Sequence, residues 1–463
     1  MRRAISVGLV LCLSILNGCY GSLETDELAY VLAIGVDEVK DDLIKLTIQI
    51  ANPRRIGGGD QGAMGQRKDG GGQEASVVFS VEASTIFGGI DLLESVIDRQ
   101  LSLMHAKAII FSEKTARKGL KRFIHAFRRY REFRATVLVF VSRGEAGEFL
   151  QKNSPLLEAN PSKQFELTQL TQTTTGMIPY QQFTHFYNSM KTHGRQAICT
   201  LVDINKQEEK KQQERQKQQE GMNGTQAGGS GEDQDGPPKE QGQQEQQEGE
   251  TQKEGQKQKK KRPEYRNEGI HIAGTIPREG GNPAEFLGAA VFRADKMAGT
   301  LDGEETRVMQ MVRGEFRRTM LSIKDPRRPA YMIVLDLRQS KPPAVEIKLA
   351  GGRPRIETIV NLEFDYVAIQ SGEDYQRLGK YAIVEKAVVK YLSRICRQII
   401  GKSKKWRSDF LGFGEYAATQ FWTWDEWIKF DWHKQFAQAS IKVRFNARLR
   451  RVGIIQSSSK ITR

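Results

Sequence analysis

The sequence predicts an α+β, mixed α/β protein of three domains. Each is a β-sheet flanked by helices, and the middle one carries a disordered insertion. Three observations lead there. Apolar runs of strand length alternate with helix-period segments as far as about residue 165. The last third is rich in strands around one long helical pattern. Between them, from Lys206 to Arg262, the only apolar residues are Met222 and Ala227. At 463 residues the chain exceeds one ordinary core. The divisions fall at 1–18 (a leader), 19–165, 166–314 with the disordered insertion 206–268, and 315–463.

In chain order, Leu28 to Val36 is a continuous apolar run with β-branched residues, the mark of a buried strand. Leu43 to Ile50 alternates as a second strand, ended by Asn52-Pro53. Residues 57–73 are glycine-rich and read as a mobile loop, and Ala75 to Val81 as the next strand. Thr85 to Leu101 has helical periodicity, and His105 to Phe111 is a strand. Ser112 caps a helix to about Tyr130, with Glu113 in the first turn favouring the dipole. Thr136 to Val141 is a fully apolar strand, and a helix begins at Arg143.

In the middle unit Tyr180 to Met190 reads as helix and Ala197 to Ile204 as strand. The tract that follows is mostly Gln, Lys, Glu and Gly. It lacks the apolar surface to offset the entropy of ordering, although its first part, to about Glu220, has helical propensity. Ile270 to Ile276 reads as a strand, and Phe286 to Arg293 with Lys296 to Leu301 as a hairpin turning at Ala294-Asp295. Asp302 caps a short helix with Glu304 and Glu305 in its first turn. Four strands follow: Glu315–Ile323, Ala330–Arg338, Ala344–Leu349 and Arg355–Val367. Asp374 to Ile400 is the longest helical pattern, with Leu378, Ile383, Ala387, Val388, Tyr391 and Ile395 on one stripe. Asp409 to Tyr416 and an aromatic cluster of Phe421, Trp422, Trp424, Trp427 and Trp432 come next. Ser440 to Val452 alternates as a last strand, apolar on one face and basic on the other.

The amino terminus carries a targeting signal. Met1-Arg2-Arg3 is basic, Ala4 to Leu16 is apolar, and Leu16-Asn17-Gly18-Cys19 follows the pattern of a bacterial lipoprotein signal. The apolar run is too short for a spanning helix, which needs roughly 20 residues. Cys19 is therefore expected to carry a diacylglycerol, with the mature chain outside the cytoplasm and held to the membrane by lipid. The net charge of +15 points to anionic headgroups or an anionic wall, and export argues against nucleic acid. Of four cysteines, Cys12 leaves with the leader and Cys19 is the lipid site, while Cys199 and Cys396 are expected to remain unpaired.

No chemistry stands out. The six histidines show no metal-ligand spacing. Gly401-Lys402-Ser403 resembles the end of a phosphate-binding loop, but the first glycine of that motif is replaced by Cys396. There is no Gly-x-Ser-x-Gly elbow. No enzyme, cofactor or metal is expected. Trp424 and Trp427, three apart, favour packing over ligand stacking. The basic face of the last strand reads as solvated or as a headgroup contact.

Several stretches carry a resemblance: the Cys19 lipobox, LAYVLAIGVDEV (28–39), LTIQIANP (46–53), HAKAIIFSEKTARKGL (105–120), REFRATVLVFVSRGEAGEFL (131–150), GAAVFRADKMAGTLDGEET (288–306) and DFLGFGEYA with the Trp-rich run (409–432). Together they resemble the C subunit of spore germinant receptors, the Ger(x)C lipoproteins. The insertion is longer, and the final aromatic segment more Trp-dense, than that family leads one to expect. The resemblance implies a non-enzymatic lipoprotein of three mixed α/β domains on the outer face of the spore inner membrane. It implies A and B integral-membrane subunits as partners and a nutrient as trigger. Whether this subunit touches the nutrient is left open. Only Cys19 carries over as a defined site. The alternatives are an extracytoplasmic solute-binding lipoprotein feeding a transporter, which needs two similar lobes and a cleft, and a wall- or lipid-modifying enzyme.

Overall fold

The computed structural model describes residues 26–40, 42–52, 76–158, 160–211, 270–349, 353–375 and 379–451. Cys19, the 57–73 loop, most of the 206–268 tract and the polar tail lie outside the described residues.

The strands fall into two sheets. The first holds β1 (Leu28–Glu38), β2 (Ile44–Ala51), β3 (Ser76–Ala83), β4 (Gln100–Ser102), β5 (Ala108–Ser112), β6 (Leu138–Ser142), β7 (Ile198–Ile204), β8 (Ala284–Arg293) and β9 (Lys296–Leu301). Its order is β3-β2-β1-β5-β6-β7-β8-β9, with β4 beside β1. The central strands β1, β5, β6 and β7 run parallel, and the flanking pairs are antiparallel. β5 and β6 are buried at every position, as a parallel sheet covered on both faces requires. The cover comes from α1 (Ile86–Glu94), α2 (Glu113–Lys118), α3 (Lys121–Arg129), α4 (Ala146–Lys152), α5 (Pro161–Thr175) and α6 (Phe183–Lys191).

The second sheet is built on β13 (Arg355–Ile369), a 15-residue strand. Antiparallel β11 (Met332–Gln339) and β12 (Ala344–Lys348) share its length, and β14 (Ser440–Arg451) pairs parallel with it. β10 (Arg318–Lys324) pairs with β11. Helix α8 (Tyr381–Trp406) packs Val384, Val388, Leu392, Ile395 and Ile399 into this core. Short helices α9 (Phe413–Ala418), α10 (Trp424–Phe430) and α11 (Trp432–Gln438) close it. Between the sheets lies α7 (Gly303–Arg313), buried from Gly303 to Val312.

The mixed α/β class is as expected, but the strands form two sheets rather than three. Strands β7 to β9, placed in a middle unit, extend the first sheet beyond β6, because the edge of β6 needs a hydrogen-bonded partner. The division at 165 falls inside α5, and the change of sheet comes between α7 and β10, near 315. The helix expected over Ser112 to Tyr130 is two helices broken at Gly119 (φ 134°), where a Cβ would lie 2.7 Å from the Asp295 carboxylate. The helix expected to Leu101 stops at Glu94, whose carboxylate accepts from the Leu101 N–H and helps seat β4 beside β1. Residues 270–276 form no strand. The Glu285 carboxylate takes the N–H groups of Gly274 and Ile276 instead. The tract read as disordered from 206 starts as helix over 206–211, and buried Glu208 accepts from the Gly280 N–H.

Candidate functional site

Cys19, the one site residue expected from sequence, lies outside the described residues. Cys199 and Cys396 are both free and buried, as expected, in separate hydrophobic clusters. Burial pushes both thiols up, Cys396 to about 12, so neither is poised as a nucleophile. Among the described residues no cluster of His, Cys, Asp and Glu could hold a metal ion.

The segments singled out by resemblance meet at joints. Asp37 lies in the buried run of β1, one residue before its end, and its carboxylate accepts from the Ala146 and Gly147 N–H groups at the start of α4, at 2.7 and 2.8 Å. A Cβ on Gly147 would lie 2.7 Å from Thr47 Oγ1, so α4 sits on β1 and β2 at a distance only glycine allows. The IGVDEV and SRGEAGEFL segments are two sides of this contact.

The second joint ties the two sheets together. Asp409 is fully buried. Its Oδ1 accepts from the Gly412 and Phe413 N–H groups, and its Oδ2 from Gly414 N–H at 2.7 Å and Trp432 Nε1 at 2.8 Å. Burial pushes this carboxyl up to about 6, and the four donors only partly offset it. The Asp409 carbonyl accepts from Gln196 N–H, and Ser408 Oγ donates to the Phe292 carbonyl, which links α9 to β7 and β8. Gly414 lies against Gly194 so closely that a Cβ would stand 2.1 Å from the Gly194 oxygen.

Helix α7 completes the seam. Asp302 and Glu305 form a capping box at its start. Burial pushes the Asp302 carboxyl up to about 7. Glu304 accepts from the Tyr391 hydroxyl and Glu305 from Lys402, which binds α7 to α8. Gln310 Nε2 donates to the carbonyls of Gly176 (2.6 Å) and Ile178 (2.8 Å), and Arg307 to that of Thr175 (3.0 Å). Arg313 reaches the Phe410 carbonyl and Glu315, and Arg195 bridges Glu315 and Glu415. These charges, several of them buried, are engaged in holding the sheets together.

Among the described residues, two of the features that face solvent adjoin segments singled out from sequence. The aromatic cluster divides: Trp427 and Trp432 pack ring on ring with Phe421, Phe430 and Phe436, as expected, but Trp422 is 96% exposed and Trp424 59% exposed. Ile428, one turn on from Trp424 in α10 and also exposed, extends them into an apolar ledge. Trp424 is 6.2 Å from His193, beside the Gly194–Gly414 contact, so the ledge rests on the seam. A capping box of Thr423 and Glu426 fixes the helix that carries it. Sequence alone could not divide the cluster, because all five aromatics lie within one short segment. The other feature is a cavity of about 580 Å³ at the α2–α3 elbow, lined by Glu38, Asp42, Lys118, Lys121, Arg122 and His125. Its charges answer one another, with Lys118 at 2.6 Å and Arg122 at 3.8 Å from Glu38.

Residues 21–204 match the family described as spore germination protein N-terminal domain, and residues 287–453 match spore germination B3/GerAC like, C-terminal. Spore germination protein KC of Bacillus subtilis (strain 168) is 23% identical over 454 residues, covering 97% of this chain and 96% of its own. Spore germination protein YndF of the same organism is 26% identical over 173 residues, covering 33% of this chain and 42% of its own. The crystal structure of the GerBC protein superposes with a TM-score of 0.49 at 15% identity, covering 90% of this chain and 97% of that one.

Proposed function

This chain belongs to the GerAC-like family of spore germination proteins, and from that premise we propose that it is the lipid-anchored, non-enzymatic subunit of a nutrient germinant receptor. The observation that carries the reading is the presence of both family domains in one chain. The subunit acts with the A and B integral-membrane subunits on the outer face of the spore inner membrane. Cys19, at the end of its leader, is the acylation site.

Among the described residues no helix is long and apolar enough to cross a membrane, which is consistent with an anchor made of lipid. Stable anchoring takes two signals, such as two acyl chains. Held in this way, the protein meets its partners at raised effective concentration, so individually weak contacts suffice. The seam gives those contacts a fixed frame, and the Trp422–Trp424 ledge is the face that meets a membrane subunit. Exposed Trp on a rigid support is a typical interface anchor.

The test is Cys19→Ala in spores. The protein is expected to leave the membrane fraction and the nutrient response to fall with it. A full response from the unacylated protein sinks the tethering mechanism. Pull-down from detergent-extracted spore membrane is expected to recover two multi-pass proteins of the receptor type, and recovery of transporter components overturns the receptor reading.

A further inference from the structure

A groove of about 880 Å³ runs between α8 and the turn after β10. Lys386, Lys390, Arg394 and Arg397 line one side of it and Lys324 the other. The four on α8 are spaced i, i+4, i+8 and i+11, so they form one stripe roughly 17 Å long, opposite the buried stripe of Val384, Val388, Leu392 and Ile399. Like charges one turn apart destabilise a helix. Lys402, further along, is neutralised by Glu305, but among the described residues none of these four makes an ion pair. The one acid lining the groove is Asp325, already taken up by the Ser371 and Tyr375 hydroxyls and the Arg327 and Arg328 N–H groups. Beneath the cations lies apolar surface: Ile383, Ala387, Ile323, Pro326, Pro329 and the half-exposed Ile270.

The basic face of β14, singled out from sequence, is a different case. Lys442 and Arg448 stand opposite Glu357 and Glu363 in register, Arg444 is 3.6 Å from Glu357, and Arg450 is 2.8 Å from Asp365. Its charge is answered across the strands, whereas Lys386, Lys390 and Arg397 on α8 have no carboxylate partner among the described residues; Arg394 lies 5.4 Å over the Tyr391 ring and is drawn to Glu304.

We propose that this groove binds the anionic phospholipid surface of the membrane, with headgroup phosphates on the Lys386–Arg397 stripe and the glycerol and upper acyl carbons against the apolar floor. The charge complementarity and the cationic rim over an apolar floor favour this occupant over an acidic protein segment. The setting rests on the reading of the chain as membrane-held.

The experiment is flotation of the full mature chain, unacylated, with protein-free vesicles. It therefore stands or falls separately from the Cys19 and subunit assignments. Vesicles of two parts phosphatidylcholine to one part phosphatidylglycerol are expected to carry the protein in a salt-sensitive manner, and pure phosphatidylcholine is not. At about fivefold per cation, Lys386→Gln/Lys390→Gln/Arg397→Gln weakens binding roughly a hundredfold. The matched Lys442→Gln/Arg444→Gln/Arg448→Gln change weakens it only a few-fold. If the triple variant does not fold, Lys390→Gln alone is read for its fivefold loss. Equal losses from both triples, or no binding to anionic vesicles, overturn the proposal. Complete displacement by free glycerol phosphate assigns the groove to a small soluble anion and also overturns it. So does a photo-crosslinker at position 390 that captures protein rather than phospholipid in spore membrane.

Discussion

Gly414→Ala tests the seam directly. The added Cβ would stand 2.1 Å from the Gly194 oxygen and 2.5 Å from Trp432 Nε1. Ordinary contact is near 3.5 Å, so two backbone segments have to part by about an ångström. They cannot do so freely. Gly414 N–H is bound to Asp409 Oδ2 at 2.7 Å, Trp432 shares that oxygen at 2.8 Å, and Gln196 N–H holds the Asp409 carbonyl at 3.1 Å. Overpacking costs about 1–3 kcal/mol. Loosening one hydrogen bond to a buried carboxylate adds about 1.5–3 kcal/mol. The sum, roughly 3–6 kcal/mol, is a large share of an ordinary domain's stability.

Two nearby glycines serve as controls. Gly412 has open space but φ 82°, so Gly412→Ala is expected to cost about 1 kcal/mol. Gly401 lies in α8 with nothing within 4 Å, so Gly401→Ala is expected to stabilise by up to about 1 kcal/mol. The assay is urea unfolding of the full mature chain, followed by circular dichroism. A Gly414→Ala loss under about 1 kcal/mol, or the same loss at all three positions, refutes the account of the seam as a close backbone contact.

Further outcomes follow from the same contacts. The Asp409 carboxyl is raised from 3.8 to about 6, so its contribution to stability is fully present below about 3.8 and is lost as pH rises through about 6. Asp409→Asn removes that titration and sets an amide against two N–H donors. The stability gap between wild type and variant is therefore expected to widen by about 1 kcal/mol from pH 7 to pH 5, and a narrowing gap contradicts the assignment. In the folded mature chain carrying Cys19→Ser, Cys199 and Cys396, both buried, are expected to be silent to a thiol reagent and to react fully in denaturant; a fast native thiol contradicts their burial. Acrylamide is expected to quench Trp422 and Trp424 and to spare Trp427 and Trp432, so Trp422→Phe/Trp424→Phe removes most of the quenchable fluorescence.

The local signals in the chain are strong wherever one element decides its own state. LAYVLAIGV cannot be anything but buried, and it is β1. Asp302 with Glu305 is a capping box whose partners lie within three residues, and α7 begins there. The alternation of the last strand survives in β14, with basic residues outward and Phe445 and Ala447 inward.

Partnership between distant segments was not legible. The aspartate that opens DFLGFGEY carries no mark that its acceptors will be filled by Trp432 and by backbone a few residues on, or that Gly414 will lie on Gly194. The strands of the middle segment look complete in themselves, yet they extend the first sheet, because hydrogen bonding at a strand edge is indifferent to sequence distance. Of the stripe read on α8, Val388 and Ile395 enter the core as expected, but Ile383, Ala387 and Tyr391 are only partly buried. Those residues flank the groove, and Val384, Leu392 and Ile399 enter the core. A 3.6-residue period fixes that a helix has two faces, but only the surface packed against it selects which apolar row is buried and which stands beside the unpaired cations.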